Sequence, residues 1–264
     1  MKKITVTDIV SKKNVEKIVM ITAYDALFAR LFDEFVDMIL IGDSLNMNFK
    51  GENDTINVTV DEMIYHTKAV KNGAKNSFIV TDMPFGSTSS IKQSVKNAIK
   101  IYKQTGCDAV KIEGGKDMAL HIKALCDEGI SVVGHIGLMP QKVRLEGGYK
   151  IKGRKEGDLN RLMDDAFAIK EAGAFCFVLE ATLSSIAAEI TKQVDIPVIG
   201  IGSGVNVDGQ VLVWSDLLGF FEEFKPKFVK QYLNGANLVK EAVKSYKNEV
   251  KNSIFPSKSF EYNK

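Results

Sequence analysis

Four short apolar runs of this sequence end on side chains able to do chemistry. Asp43 and Ser44 close "MILIGDSL", Asp82 closes "FIVTDMP", Lys111 and Glu113 fall in "AVKIEGG", and Glu180 closes "CFVLEA". His135 stands in a fifth run, "SVVGHIG". An ionised carboxylate beside a dry core costs several kcal/mol unless it is paired or holds a metal. Brought to one place, Asp43, Asp82 and Glu113 would repel one another, and a hard divalent cation relieves that repulsion. Mg²⁺ takes few protein oxygens and keeps octahedral positions for water or substrate. Asp43 and Asp82 fit as direct ligands, with Glu113 bound directly or through a water. Zinc suits the chain less, because it has three histidines and no pair at i, i+4. A cation with open positions suits an α-keto acid chelated through its carboxylate and keto oxygen, whose neighbouring C–H then becomes more acidic. Lys111 and Ser44 can hold the carboxylate, and Glu180, free of the cation, can remove the proton.

Each residue also has a plainer reading. A lone Asp at a strand end is commonly a turn or helix-cap residue; four carboxylates sharing one pattern weaken that explanation. Lys111 and Glu113 could form an i, i+2 ion pair, and His135 could be a hydrogen-bonded core histidine. His66, in "DEMIYHTKAV", falls on a helix and reads as structural. The "GIGSG" loop over 200–204 serves a tight turn as readily as an anion. Lys111 could also be a Schiff-base nucleophile needing no metal, and a barrel that only binds or scaffolds is the reading from another class.

The residues converge only if the runs are parallel strands of one sheet. A unit recurs along the chain: amphipathic helix, glycine, apolar run, as in "VKNAIKIYKQTGCDAVKIEGG" and "DDAFAIKEAGAFCFVLEAT". The runs lie over 18–25, 38–44, 78–84, 109–115, 131–137, 176–181, 197–204 and 211–217. They are nearly continuous in apolar residues, the mark of parallel strands covered on both faces. Eight strands separated mostly by helices, in 264 residues, predict an α/β fold of the (β/α)8 type as a single domain. A doubly wound open sheet is the competitor. In a barrel every strand ends on one face, which is where such barrels build active sites. Only six residues, 205–210, separate the last two runs, short for a parallel crossover, so "VLVWSDLLGFF" is expected to be partly helical. The segment 138–158, rich in Gly, Lys and Arg, is long enough to be a lid or binding loop. A helical extension follows from about residue 235.

A formal charge of +2 gives no field that argues for nucleic acid or an anionic membrane as partner. Cys107, Cys126 and Cys176 form no CxxC pair and suggest buried thiols in a reducing, cytoplasmic setting. The N-terminal "MKKITVTDIV" lacks the apolar stretch of a signal peptide.

Taken together, "GDSL", "TVDEMIYHTKAV", "TDMPFGS", "VKIEGG", "GHIGLMPQ", "GGYKIKGR", "LEA" and "IGIGSG…DGQVLVWSDLLG" resemble the ketopantoate hydroxymethyltransferase family. The resemblance runs in order from about Met20 to Gly219, with "FPSKSFEY" near the C-terminus sharing it. It implies a (β/α)8 TIM barrel of the phosphoenolpyruvate/pyruvate type, assembled as a homodecamer. It implies transfer of a hydroxymethyl group from 5,10-methylenetetrahydrofolate to 3-methyl-2-oxobutanoate, giving 2-dehydropantoate for pantothenate synthesis, with Mg²⁺. By matched position, Asp43 and Asp82 become metal ligands and Glu113 a carboxylate at or near the metal. Ser44, Lys111 and His135 become substrate contacts, and Glu180 the proton-abstracting base. The alternative is a related metal-dependent lyase or mutase of phosphoenolpyruvate type, which is expected to carry a lid nucleophile, a cysteine or aspartate, although 138–158 has no cysteine and no clear candidate. Asn46, Asn48 and Met139 depart from the family pattern beside the site without removing a reactive group.

Overall fold

Eight parallel strands, in sequential order, close into a barrel in a computed structural model that describes residues 2–222 and 225–262. In chain order the elements are α1 (Val6–Val10), β1 (Ile18–Thr22), α2 (Ala26–Phe32), β2 (Met38–Ile41), α3 (Leu45–Lys50) and α4 (Val60–Gly73). There follow β3 (Phe78–Asp82), α5 (Ile91–Thr105), β4 (Ala109–Glu113), α6 (Ala119–Asp127), β5 (Val132–Gly137) and α7 (Val143–Glu146). The barrel unit ends with α8 (Asp158–Glu171), β6 (Cys176–Glu180), α9 (Ser184–Gln193), β7 (Val198–Ile201) and β8 (Gly209–Leu212). The chain divides into two compact units, Met1–Val213 and Trp214–Lys264. The second unit carries α10 (Trp214–Leu217) and the 17-residue α11 (Gly235–Lys251). No helix among the described residues is long and apolar enough to cross a membrane.

The helices form where local signals start and stop them. Thr59 and Glu62 make a reciprocal capping box at the start of α4, Ser90 accepts from Gln93 N–H at the start of α5, and Gly106 ends α5 in the left-handed conformation. The eighth run is partly helical, as expected, and its strand is shifted from 211–217 to Gly209–Leu212. Strand pairing begins at Gly209, where any side chain would strike Ile18, and stops at Leu212; Trp214–Leu217 is helical. Seven residues without a helix join β7 to β8, and only Ile199 and Gly200 pair across that seam.

Strand parity sets what the barrel encloses, because side chains two apart share a face. Ile18 and Met20, Met38 and Leu40, Phe78 and Val80, Ala109, Val133, Cys176 and Val178, Ile199 and Val211 pack as one core inside the strands. Continuing each strand in steps of two leads from Phe78 and Val80 to Asp82, from Ala109 to Lys111 and Glu113, from Val133 to His135, and from Val178 to Glu180. The polar residues are thus the top layer of the stack whose lower layers are oil.

The floor is closed by α1, whose Ile9 is fully buried in that core. Three aspartates, each one residue before an even-numbered strand, organise this end. Asp37, Asp108 and Asp208 accept the N–H of Val19, Ile79 and Val198 on the neighbouring strands at 2.8, 2.7 and 2.9 Å. Each also pairs with a lysine of the N-terminal segment: Lys12 at 3.1 Å, Lys3 at 2.7 Å and Lys13 at 2.7 Å. The Lys13–Asp208 pair is the most buried, at 8% and 4% side-chain exposure. Lys13→Met leaves that aspartate without its counter-charge, and is expected to cost about 3 kcal/mol or more in urea unfolding. A loss under 1 kcal/mol would show that the pair does not pin the floor.

Candidate active site

At the opposite end, β2 turns sharply into α3. A side chain at Gly42 would lie 2.9 Å from Ser44 Oγ and 3.6 Å from Asp82 Oδ2, so glycine there lets Asp43 and Ser44 come up against the end of β3. The Asp43 N–H donates to Asp82 Oδ2 at 3.0 Å. Ser44 sits at the N-cap of α3 but caps nothing with its side chain; its Oγ lies 2.7 Å from the hydroxyl of the fully buried Tyr24. Burial keeps that phenol protonated. Asn46 and Asn48 have structural roles. Asn46, fully buried, donates to Asp54 O at 2.7 Å, and Asn48 donates to Ser44 O at 2.9 Å.

From Asp82 a line of side chains crosses four successive strand ends. Lys111 Nζ lies 2.9 Å from Asp82 Oδ1 and 3.0 Å from His135 Nδ1, and His135 Nε2 lies 3.3 Å from Glu180 Oε2. An ammonium can only donate, so His135 Nδ1 accepts from Lys111 and the imidazole proton sits on Nε2, facing Glu180. Glu113 Oε1 stands 3.5 Å from His135 Nδ1. Lys111, Asp82, Glu113 and His135 have side chains 3–4% exposed, while Glu180 keeps 17% and reaches the mouth. Lys111 therefore pairs with Asp82 and not, as an i, i+2 reading had it, with Glu113.

One ammonium faces four carboxylates, and the electrostatics record the deficit. Burial, then the charges of Asp82 and Glu113, drive Asp43 well above the ordinary carboxylate range. Burial lifts Glu113 to about 8 and Glu180 to about 7, with Asp82 adding to both and Lys111 opposing. Burial works against the charge on Lys111, but Asp82, Glu113 and Asp43 together hold it protonated well above its usual range. His135 is kept neutral by burial and by Lys111. Among the described residues no three His, Cys, Asp or Glu side chains close into a cation cage by themselves. The donor set still fits a hard cation that takes two carboxylates and completes its shell with water and substrate oxygens. Asp43 and Asp82 adjoin one another, both are under 5% exposed, and the excess of negative charge around them is what such an ion neutralises. Glu113 is turned toward His135 and the backbone of Gln141, behind that pair.

Two residues of this site carried no role in the sequence reading. Tyr24 lies beyond the end of β1, and Gln141 follows Pro140 in the segment after β5; only their polarity beside an apolar run hinted at them. The segment 138–158 is tied down at several points. Arg144 Nε and one of its terminal nitrogens both reach Asp54 Oδ2 at 2.8 Å, and Tyr149 Oη lies 3.9 Å from Met47 Sδ. Lys152 N–H donates to Ala181 O at 2.8 Å and Leu183 N–H to Lys152 O at 3.0 Å, which fastens the far end beside Glu180.

The backbone around Glu180 is locked from every side. Ala181 is held at φ 44°, a strained conformation for a residue with a side chain. Glu180 O accepts from Leu138 N–H and from the Thr182 hydroxyl. Gly137, at φ 93°, packs so closely on Glu180 O that no side chain would fit. Ser203, from the "GIGSG" loop, is 1% exposed, donates to Leu179 O at 2.7 Å and accepts from Thr182 N–H at 3.2 Å. That loop thus braces the end of β6. His66, expected to be structural, has its Nδ1 2.6 Å from Tyr24 O.

Residues 3–258 match the profile of the ketopantoate hydroxymethyltransferase family. The chain is 62% identical over 264 residues, all of both chains, to a 3-methyl-2-oxobutanoate hydroxymethyltransferase of Campylobacter fetus subsp. fetus (strain 82-40). It is 57% identical to one of Aliarcobacter butzleri (strain RM4018), over 98% of this chain and 97% of the other. Among solved structures, the fold resembles a phosphoenolpyruvate phosphomutase of Streptomyces platensis subsp. rosaceus, with TM-score 0.62, 15% identity, and 94% and 88% of the two chains covered. It also resembles a 2,3-dimethylmalate lyase of the PEP mutase/isocitrate lyase superfamily, with TM-score 0.61, 13% identity, and 100% and 90% covered. At such identities these two speak for the barrel type alone.

Proposed function

The chain belongs to the ketopantoate hydroxymethyltransferase family, and from that premise we propose how its barrel mouth transfers a hydroxymethyl group from 5,10-methylenetetrahydrofolate to 3-methyl-2-oxobutanoate. The observation that carries the reading is the unbroken line Asp82–Lys111–His135–Glu180 across the strand ends, with Asp43 against Asp82. Asp43 and Asp82 would hold Mg²⁺, with Glu113 behind them. That ion would supply Lewis-acid polarisation of the bound keto acid, which would acidify the C–H at C3.

The other steps belong to the chain's own side chains. Lys111 and the Ser44 hydroxyl bind the substrate carboxylate, and the Tyr24 hydroxyl orients that of Ser44. His135, held in one tautomer by Lys111, keeps its Nε2 3.3 Å from Glu180 Oε2, beside the carboxylate and without a hydrogen bond to it. Glu180 takes the proton from C3. Water adds to the methylene of the carrier's opened iminium, and the bond from methylene to nitrogen breaks to leave N–H on the carrier and a C=O at the formaldehyde level. The carbon nucleophile adds to that carbonyl, whose oxygen takes the proton held by Glu180. A base poised near 7 suits proton removal at neutral pH.

Incubating the protein with both substrates and Mg²⁺ is expected to yield 2-dehydropantoate by NMR; if the wild-type protein forms none, the reading fails. The whole chain, including the extension from about 235, acts in this proposal as one catalytic unit within a homodecamer. The stripe Leu27, Leu31 and Phe35 along and just beyond α2, 58–76% exposed, is the kind of apolar surface a subunit contact covers. Light scattering should give ten times the 29.1 kDa of one chain, and a monomer mass would exclude the assembly.

A further inference from the structure

Gln141 touches three neighbouring strand ends at once. Its Nε2 donates to Asp43 Oδ2 at 2.8 Å, at the end of β2, and to Met83 O at 3.1 Å, just past β3. Its backbone N–H donates to Glu113 Oε2 at 3.1 Å, at the end of β4. Gln141 itself belongs to the segment that leaves β5 and passes Asp54 and Met47 before reattaching at Ala181. Both amide hydrogens are committed, one to a carboxylate and one to a carbonyl that cannot move without moving the strand. The side chain therefore has one orientation, and it fixes Asp43 Oδ2 as an acceptor. Asp43 Oδ1 has no part in these bonds and stays free for another partner.

We propose that Gln141 is a positioning residue for the divalent cation: it presents Asp43 to the ion and couples ion binding to seating of the 142–152 segment over the mouth. The inference rests on the reading that Asp43 and Asp82 hold the ion. An amide donor that orients a ligating carboxylate is worth about 10–100-fold in metal affinity in comparable sites. Because the same amide anchors the segment, the coupling is reciprocal: an ion that favours the bonded Asp43 favours the seated segment, and loss of the bond releases both. The plainer role, a bond that only holds the fold together, predicts loss of stability without any change in ion affinity for protein that remains folded.

The test uses Mn²⁺ alone as probe, with free ion measured by electron paramagnetic resonance on the intact, folded protein. Gln141→Leu keeps the side chain's bulk and the backbone bond to Glu113 but removes the amide. It is expected to raise the Mn²⁺ dissociation constant 10–100-fold. In the wild type, Mn²⁺ should slow amide hydrogen exchange over residues 143–151; in the variant it should not. If Gln141→Leu does not fold, Gln141→Asn, one methylene too short to span Asp43 and Met83, serves the same comparison. A dissociation constant within twofold of wild type in a folded variant, with Asp43→Asn abolishing binding, would overturn this inference and leave the cation reading standing. Asp43→Asn binding as tightly as wild type would remove the cation reading, and this inference with it.

Discussion

Glu180→Gln should slow hydrogen exchange at C3 of 3-methyl-2-oxobutanoate by about 10²- to 10⁴-fold, the range for losing a positioned general base. Gln matches Glu in size and keeps an oxygen beside His135 Nε2, 3.3 Å away in the native site. The braces on this stretch of backbone, at Leu138, Thr182 and Ser203, do not involve the carboxyl and persist. What disappears is the proton affinity, which burial raises to about 7. Proton NMR in D₂O, with Mg²⁺ and no folate, follows this half-reaction separately from carrier binding. The wild-type rate should climb with pH, since the carboxylate is the active form. Its inflection should lie below the metal-free value, because a nearby cation favours the ionised group. Exchange in the variant within threefold of wild type would remove Glu180 from the base's role, and tolerance of this substitution is also what a scaffold without activity would display.

Withdrawing the cation should have a second large effect, on both reaction and stability. In the metal-free protein Glu113 is held at about 8, Glu180 at about 7, and Asp43 well above its usual range, against about 4 for such groups in an unfolded chain. A folded state with raised carboxyl pKa values binds more protons than the unfolded state. Its stability is then fully present below pH 4 and is lost as pH rises through 7 and 8. Protein in EDTA should therefore melt at steadily lower temperature from pH 5 to 8.5. Mg²⁺ should reverse the fall, with little gain at pH 5 and the largest at pH 8.5. C3 exchange should stop in EDTA and return with Mg²⁺. Activity that survives EDTA but is lost to borohydride with substrate would instead make Lys111 a Schiff-base nucleophile.

The barrel was legible because its signals are local and repeated. Apolar runs of strand length, helices with caps at Thr59 and Ser90, and Gly106 at a helix end depend on neighbours in the chain, so periodicity reports them. β8 was harder. Its start at Gly209 depends on close approach to Ile18, nearly 200 residues earlier, and no local pattern encodes that contact. The polar strand ends were legible as a set for a related reason: once strands are parallel, residues of equal parity at their ends must face one mouth.

The sequence by itself determined which chemical groups stand at the strand ends, and with them the excess of acid over base that a cation, a ketone substrate and a proton acceptor would answer. Tertiary structure alone decided who touches whom. Lys111 takes Asp82 and His135, not Glu113 two residues on, because strand registry sets these distances and side-chain spacing along one strand does not. It also decided that Gln141, 98 residues beyond Asp43, closes on that carboxylate, and that Ala181 holds a strained turn beside Glu180. Such contacts arise from packing between elements, and their energy is set by burial, which a residue acquires only when the rest of the chain surrounds it.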